Sequence, residues 1–147
     1  MNHFEKMDKE VIAVIRVRGR RSMKPKIDHT LELLKLSRTN HAVVYKATMP
    51  IIGMLKVVKD YVAFGRISKE TLEALIVKRG EKGSKKASEV VNPKEVAEAV
   101  FAGKKLGDYI DPVFRLAPPR KGWKSVKKPE LLVPESGDID SIIKRMM

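Results

Sequence analysis

The chain contains no cysteine and no glutamine, only three asparagines, and few aromatic residues, at 5% of its 147 positions. Without cysteine there is no disulfide, no thiolate nucleophile and no sulfur-ligated metal. Few amides beside many Lys and Glu resemble the composition of heat-adapted proteins. The scarcity of aromatics leaves Val, Ile, Leu, Met and Ala to build the core, and an apolar share of 43% is enough for one. Long apolar runs are missing as well. The longest are a few residues, whereas a membrane-spanning helix needs about 20. The opening MNHFEKMDKE lacks the apolar stretch of a secretory signal. The expected location is therefore the cytoplasm, with no membrane partner.

Negative charge is missing from two places. Val14–Lys26 carries Arg16, Arg18, Arg20, Arg21, Lys24 and Lys26 without a single carboxylate, and Arg115–Lys128 carries Arg115, Arg120, Lys121, Lys124, Lys127 and Lys128, again without one. These twelve cations account for nearly all of the net charge of +13. A charge concentrated in this way calls for a polyanion opposite it, because the chain's own acids lie elsewhere. Neither stretch reads as a solvated helical face, since both run through Gly, Pro or β-branched residues.

Along the chain, residues 1–9 read as a flexible arm. The run VIAVIRV, Val11–Val17, is β-branched and nearly continuous, as in a buried central strand. From about Lys26 to Ser37, Ile27, Leu31 and Leu34 keep helical spacing, and Asp28 suits the positive end of that helix. Arg38–Thr39–Asn40 is a turn, and HAVVY from His41 is a second strand. Thr48 and Pro50 open a second helix whose stripe is Ile51, Leu55, Val58 and Val62, with Gly65 as its stop. The next strand signal is PVFRL, Pro112–Leu116. Between them, Ser68 caps a helix bearing Leu72, Leu75 and Ile76, and Asn92–Pro93 opens another bearing Val96, Val100 and Phe101. Arg79–Ser88 reads as a mobile Lys/Gly/Ser-rich linker. A short amphipathic helix is expected at Asp140–Met146. The predicted division is a β-α-β-α core over residues 10–67, an inserted helical segment over 68–108, the core's final strand over 109–118, and an extended basic tail over 119–147 that ends in that helix. The fold class is α+β, a small sheet covered by two helices on one face. The predicted core is Val11, Ile12, Val14, Ile15, Leu31, Leu34, Val43, Val44, Leu55, Val58 and Val62.

Catalytic chemistry finds little support. His3, His29 and His41 have no metal-ligand spacing and read as surface or half-buried residues. No phosphate-binding loop, nucleophile elbow or paired acid motif is present. An acylphosphatase-like enzyme would place an arginine in the first strand-to-helix loop, where Arg18–Gly19–Arg20 lies, but the Gly-rich cradle of such a loop is absent. Gly80–Glu81–Lys82–Gly83 matches the GxxG clamp of KH domains, but a ten-residue polar stretch follows it instead of a second packed helix. It reads as a lysine-rich loop.

The basic stretches carry the functional argument. Arg16, Arg18 and Arg20 are spaced by two, so on a strand they share a face suited to bidentate phosphate contact. In the second stretch prolines extend the chain around Trp123, the only tryptophan. Its indole either stacks on a splayed base among the cations or folds back over the core. The expected RNA-binding set is Arg16, Arg18, Arg20, Arg21, Lys24, Lys26, Arg115, Arg120, Lys121, Trp123, Lys124, Lys127 and Lys128. No cofactor, metal or small-molecule substrate is expected. If the first strand and the last lie close in the sheet, the two stretches form one surface.

Several segments resemble a known family. Ile15-Arg16-Val17-Arg18-Gly19, and Leu33-Leu34-Lys35-Leu36 running into Arg38-Thr39-Asn40-His41, are similar to the ribosomal protein L-thirty family in its archaeal form, whose eukaryotic counterpart is L-seven. Gly53-Met54-Leu55 with Val58-Lys59-Asp60-Tyr61-Val62 resembles its second-helix signature. Phe114-Arg115-Leu116 with Pro118-Pro119-Arg120-Lys121-Gly122 resembles its last strand and basic tail. The likeness spans residues 10–124. It implies a ferredoxin-like β-α-β-α-β core in a structural, non-enzymatic constituent of the large ribosomal subunit. It also implies contact with the large ribosomal RNA and neighbouring ribosomal proteins, and a part in seating 5S RNA. Bacterial members lack a counterpart of Ser68–Asp108. Outside this family, a free-standing RNA-binding or chaperone-like module would fit the same charges.

Overall fold

A computed structural model of the chain describes residues 10–17, 24–36, 38–82, 85–86, 89, 91–111, 113–117 and 139–147. Its centre is β1, Val11–Arg16, whose six residues are all buried. A strand that reads as continuously apolar must be covered on both sides, and here it is. In chain order there follow α1 (Pro25–Leu33), β2 (His41–Lys46), α2 (Met49–Val58) and β3 (Val62–Arg66). Next come α3 (Lys69–Arg79), the two-residue strands β4 (Glu81–Lys82) and β5 (Lys85–Lys86), and α4 (Pro93–Phe101). A 3₁₀ turn at Leu106–Asp108, β6 (Val113–Arg115) and α5 (Asp140–Met146) complete the order. The main sheet runs β3-β1-β2-β6 with every neighbouring pair antiparallel. The fold is α+β and ferredoxin-like in its alternation of strand and helix.

Alternation along the strands sends residues to two cores. Ile12 and Val14, with Val43, Val62 and Phe64, pack against Leu31 and Leu34 at the end of α1 and against Ile52, Leu55 and Val58 of α2. Val11, Ala13, Ile15 and Val17, with Ala42, Val44 and Ala63, face the other way. They meet Leu72, Leu75 and Ile76 of α3, Val96 and Val100 of α4, and Ile142, Ile143 and Met146 of α5. Every residue of the predicted core is buried. The two helices expected on one face are α1 and α2, and the inserted segment and the final helix add a third layer on the other face. Two of its helices, α3 and α4, begin at side-chain caps, where Ser68 Oγ accepts from the Thr71 N–H (3.2 Å) and Asn92 Oδ1 from the Lys94 N–H (3.1 Å).

The third strand is a correction. It is β3, adjacent to β1 through pairs such as Val14↔Phe64 and Arg16↔Val62. Helix α2 stops at Val58, so Val62 and Gly65 belong to a strand and not to a helix and its stop. Val62 points into the same core as Val58, which is why helical spacing ran on through it. The Pro112–Leu116 signal corresponds to β6, an added edge strand paired to β2 only over His41–Val43. The Arg79–Ser88 linker carries the small β4-β5 hairpin, which the Asp111 N–H joins through Glu81 O at 2.8 Å.

Helix α5 spans Asp140–Met146 and docks on the chain itself. The Ile139 N–H donates to Arg66 O (2.9 Å), the Ser68 N–H to Asp140 Oδ1 (3.0 Å), and the Ala117 N–H to Met146 O (3.2 Å). The chain leaving β6 and the chain entering α5 are therefore both fixed to the folded body.

Candidate nucleic-acid interface

Strand direction decides where the basic stretches emerge. β1 and β6 are each antiparallel to β2, hence parallel to one another, and both leave the sheet at the end where β2 begins. With strands about 4.8 Å apart, the two exits lie about 10 Å from each other. Asn40 joins them directly: its N–H donates to Arg16 O (2.8 Å) and its carbonyl accepts from the Leu116 N–H (3.1 Å). It does so with a φ of 66°, a left-handed conformation that Asn tolerates better than most residues. The Val17 N–H bonds Tyr61 O at 2.9 Å and ties the start of β3 to the same end.

Arginines gather at this end. Arg38 is exposed in the turn before β2, and Arg115 is exposed at the last position of β6. Burial first, and then the charges of Arg115, Arg38 and Arg16, hold the His41 imidazole below its ordinary value of 6.5. A carboxylate reaches one of them: Arg115 Nη1 donates to Glu81 Oε2 at 3.0 Å. Both side chains are about half exposed, and such a pair contributes roughly 0–1 kcal/mol, so a phosphate can take Glu81's place.

Arg16 does not belong to the exposed set. It is 1% exposed, and its Nη1 donates to Leu36 O at 2.8 Å, anchoring the turn after α1 to the end of β1. Alternation places it on the same face as Ile12 and Val14, beneath the helices, so its expected phosphate contact is corrected to a structural role. Lys24 and Lys26 are exposed around the first turn of α1. Arg18, Arg20, Arg21, Arg120, Lys121, Trp123, Lys124, Lys127 and Lys128 lie outside the described residues. Arg38 is the residue that sequence reading passed over. The signal for it was positional, since a turn that feeds β2 must sit beside the exit of β1.

Among the described residues no cluster of three or more His, Asp or Glu side chains could hold a metal, and no helix is long and apolar enough to cross a membrane.

The family model for ribosomal protein L30p/L7e matches residues 12–62, from β1 to the first residue of β3. The large ribosomal subunit protein uL30 of Methanococcus maripaludis is 44% identical, over 92% of this chain and 98% of its own length. The chain belongs to the L30p/L7e family. The uL30 protein of Archaeoglobus fulgidus is 46% identical over 80% of this chain and 85% of its own, and that of Methanocella arvoryzae 44% over 79% and 84%. The L30p/L7e family is structural, not enzymatic, which sets aside the acylphosphatase-like alternative. The match to the archaeal relatives extends far beyond the region of the family model. It therefore takes in elements of the third layer as well as the β-α-β-α-β core.

Proposed function

We propose that the chain is a structural constituent of the large ribosomal subunit that binds and stabilises folded large-subunit ribosomal RNA by neutralising phosphates, and that it works in the cytoplasm within the ribosome. The observation that carries this reading is the shared exit of two carboxylate-free basic stretches at one end of the sheet, in a chain of the L30p/L7e family.

The interface consists of Lys24, Lys26, Arg38 and Arg115 on the folded body, continued by Arg18, Arg20, Arg21, Arg120, Lys121, Lys124, Lys127 and Lys128, with Trp123 available for stacking. Cations on phosphates fix register and orientation without reading bases, so affinity follows RNA shape more than sequence. A rigid sheet end holds the bases of both stretches at a fixed spacing, which lowers the ordering cost of binding. Asn40 Oδ1 and His41 Nδ1 are buried there without a hydrogen-bond partner among the described residues, a deficit of the kind that assembly fills. Contacts to neighbouring ribosomal proteins and a part in seating 5S RNA belong to the same reading.

Sucrose-gradient fractionation of cell lysate tests it. Stoichiometric presence in large subunits is expected. Binding to RNA without co-sedimentation would favour a free-standing RNA-binding or chaperone-like module and overturn the assignment.

A further inference from the structure

A groove of about 590 Å³ lies between the second half of β2 and the connection that follows α4. It is bordered by Lys35, Lys46, Lys104 and Lys105, all exposed, and no carboxylate lines it among the described residues. These lysines converge from three places in the fold. Lys35 follows α1 with a φ of 64°. Its N–H bonds Glu32 O (2.9 Å) while the Leu36 N–H bonds Leu31 O (2.8 Å), so the helix ends in a Schellman turn that turns the chain sharply at Lys35. Lys46 ends β2, beyond the reach of β6. Lys104 and Lys105 follow α4, whose end repeats the same turn: the Gly103 N–H bonds Val100 O (3.1 Å) and the Lys104 N–H bonds Ala99 O (3.0 Å). Gly103 has a φ of 107°, which favours glycine, and this turn brings the two lysines to the groove opposite Lys46.

The floor is apolar and includes Tyr45 and Leu106. The Tyr45 hydroxyl donates to Leu34 O at 2.9 Å, which fixes its ring in place. The volume falls within the range of about 300–1,000 Å³ typical of sites that enclose a small organic group. Four cations round an apolar floor with a fixed aromatic ring suit an unstacked nucleotide, with the base on the floor and flanking phosphates on the lysines. The groove lies about 17 Å from the sheet end, five residues along β2 at about 3.4 Å each, and is separate from the surface described above.

We propose that this groove is a second RNA site, taking a single-stranded segment of ribosomal RNA with one base on the Tyr45 floor and phosphates on Lys35, Lys46, Lys104 and Lys105. It rests on the reading of the chain as an RNA-bound ribosomal protein.

Lysine acylation footprinting by mass spectrometry tests it on the full chain, alone, with naked large-subunit ribosomal RNA, and in assembled large subunits. The four groove lysines should be protected by naked RNA, while Lys59 and Lys78, exposed elsewhere, stay reactive. In parallel, the K35Q/K46Q/K104Q/K105Q variant should keep its thermal unfolding midpoint and lower the slope of log affinity against log salt by about 3, at about 0.7–0.9 for each phosphate no longer neutralised. Protection in assembled subunits but not by naked RNA would assign the groove to an acidic protein neighbour and overturn the proposal. Reactive groove lysines and an unchanged slope, with Lys24 and Lys26 protected, would overturn it while leaving the sheet-end interface standing. Failure of RNA to protect any lysine would bring down the functional reading itself.

Discussion

Replacing Arg16 separates a structural arginine from an RNA-binding one. Its guanidinium holds the Leu36 carbonyl at 2.8 Å from a position with 1% exposure. A hydrogen bond from a charged donor contributes about 1.5–3 kcal/mol, and truncating a fully buried side chain adds a cavity cost of order 2–4 kcal/mol. Removing a buried charge returns part of its desolvation cost. The net for Arg16→Ala is then a loss of about 2–4 kcal/mol, against a typical total of about 5–15 kcal/mol for a domain. Arg16→Met keeps the stem and most of the volume but strands the carbonyl, and should lose about 1–2 kcal/mol. Urea unfolding at fixed pH measures both, and the ordering Ala, then Met, then wild type in rising midpoint is the expected signature. The salt slope of RNA affinity, measured where each variant is folded, should not change, because Arg16 reaches no phosphate. An Arg16→Ala protein within about 0.5 kcal/mol of wild type, with a slope reduced by about 0.9, would refute the burial argument.

Four further outcomes are expected. If about 6–10 phosphates are contacted, affinity for large-subunit RNA should fall by about 10³–10⁵ between about 50 and 200 mM salt in filter-binding titrations. Glu81→Gln should leave stability within about 0.5 kcal/mol, since the pair with Arg115 is exposed, and should tighten RNA binding by releasing a competitor for Arg115. Burial and nearby arginines hold folded His41 below 6.5, so the unfolded chain takes up the proton more readily. This group therefore lowers stability as pH falls through 6.5 towards the folded value and has no effect above that range; a His41→Asn protein should lose that part of the pH dependence in paired unfolding curves. Ile143, fully buried beneath the sheet in α5, should cost about 2–5 kcal/mol as Ile143→Ala, measured by the shift in urea midpoint.

Much of the fold was legible because two kinds of periodicity pointed the same way. The continuous run VIAVIR announced a strand covered on both faces, and Ile27, Leu31 and Leu34 announced the helix beside it. What escaped were places where one residue satisfies two patterns. Val62 extends a helical stripe and also starts a strand, and burial alone does not tell the two apart. The third layer was visible as helices, two of them with good caps, but its position was not, because Leu72, Val96 and Ile143 show an apolar face without naming its partner. Arg16 was readable in principle: period-2 alternation puts it with Ile12 and Val14, on the face that must be buried. Its charge suggested solvent, and its register decided otherwise. The common exit of the two basic stretches follows from strand direction, which charge does not encode. The groove lysines come from two helix-ending turns and the end of a strand, and nothing in their spacing groups them.

The most direct test of the central claim uses the absence of cysteine. In a chain with no native thiol, Thr39→Cys places a single tether for hydroxyl-radical cleavage in the exposed turn at the sheet end, and Val77→Cys places one on the exposed side of α3. In reconstituted large subunits, the tether at position 39 should cut ribosomal RNA strongly and the tether at position 77 weakly. Strong cleavage from position 77 with none from position 39 would contradict the account.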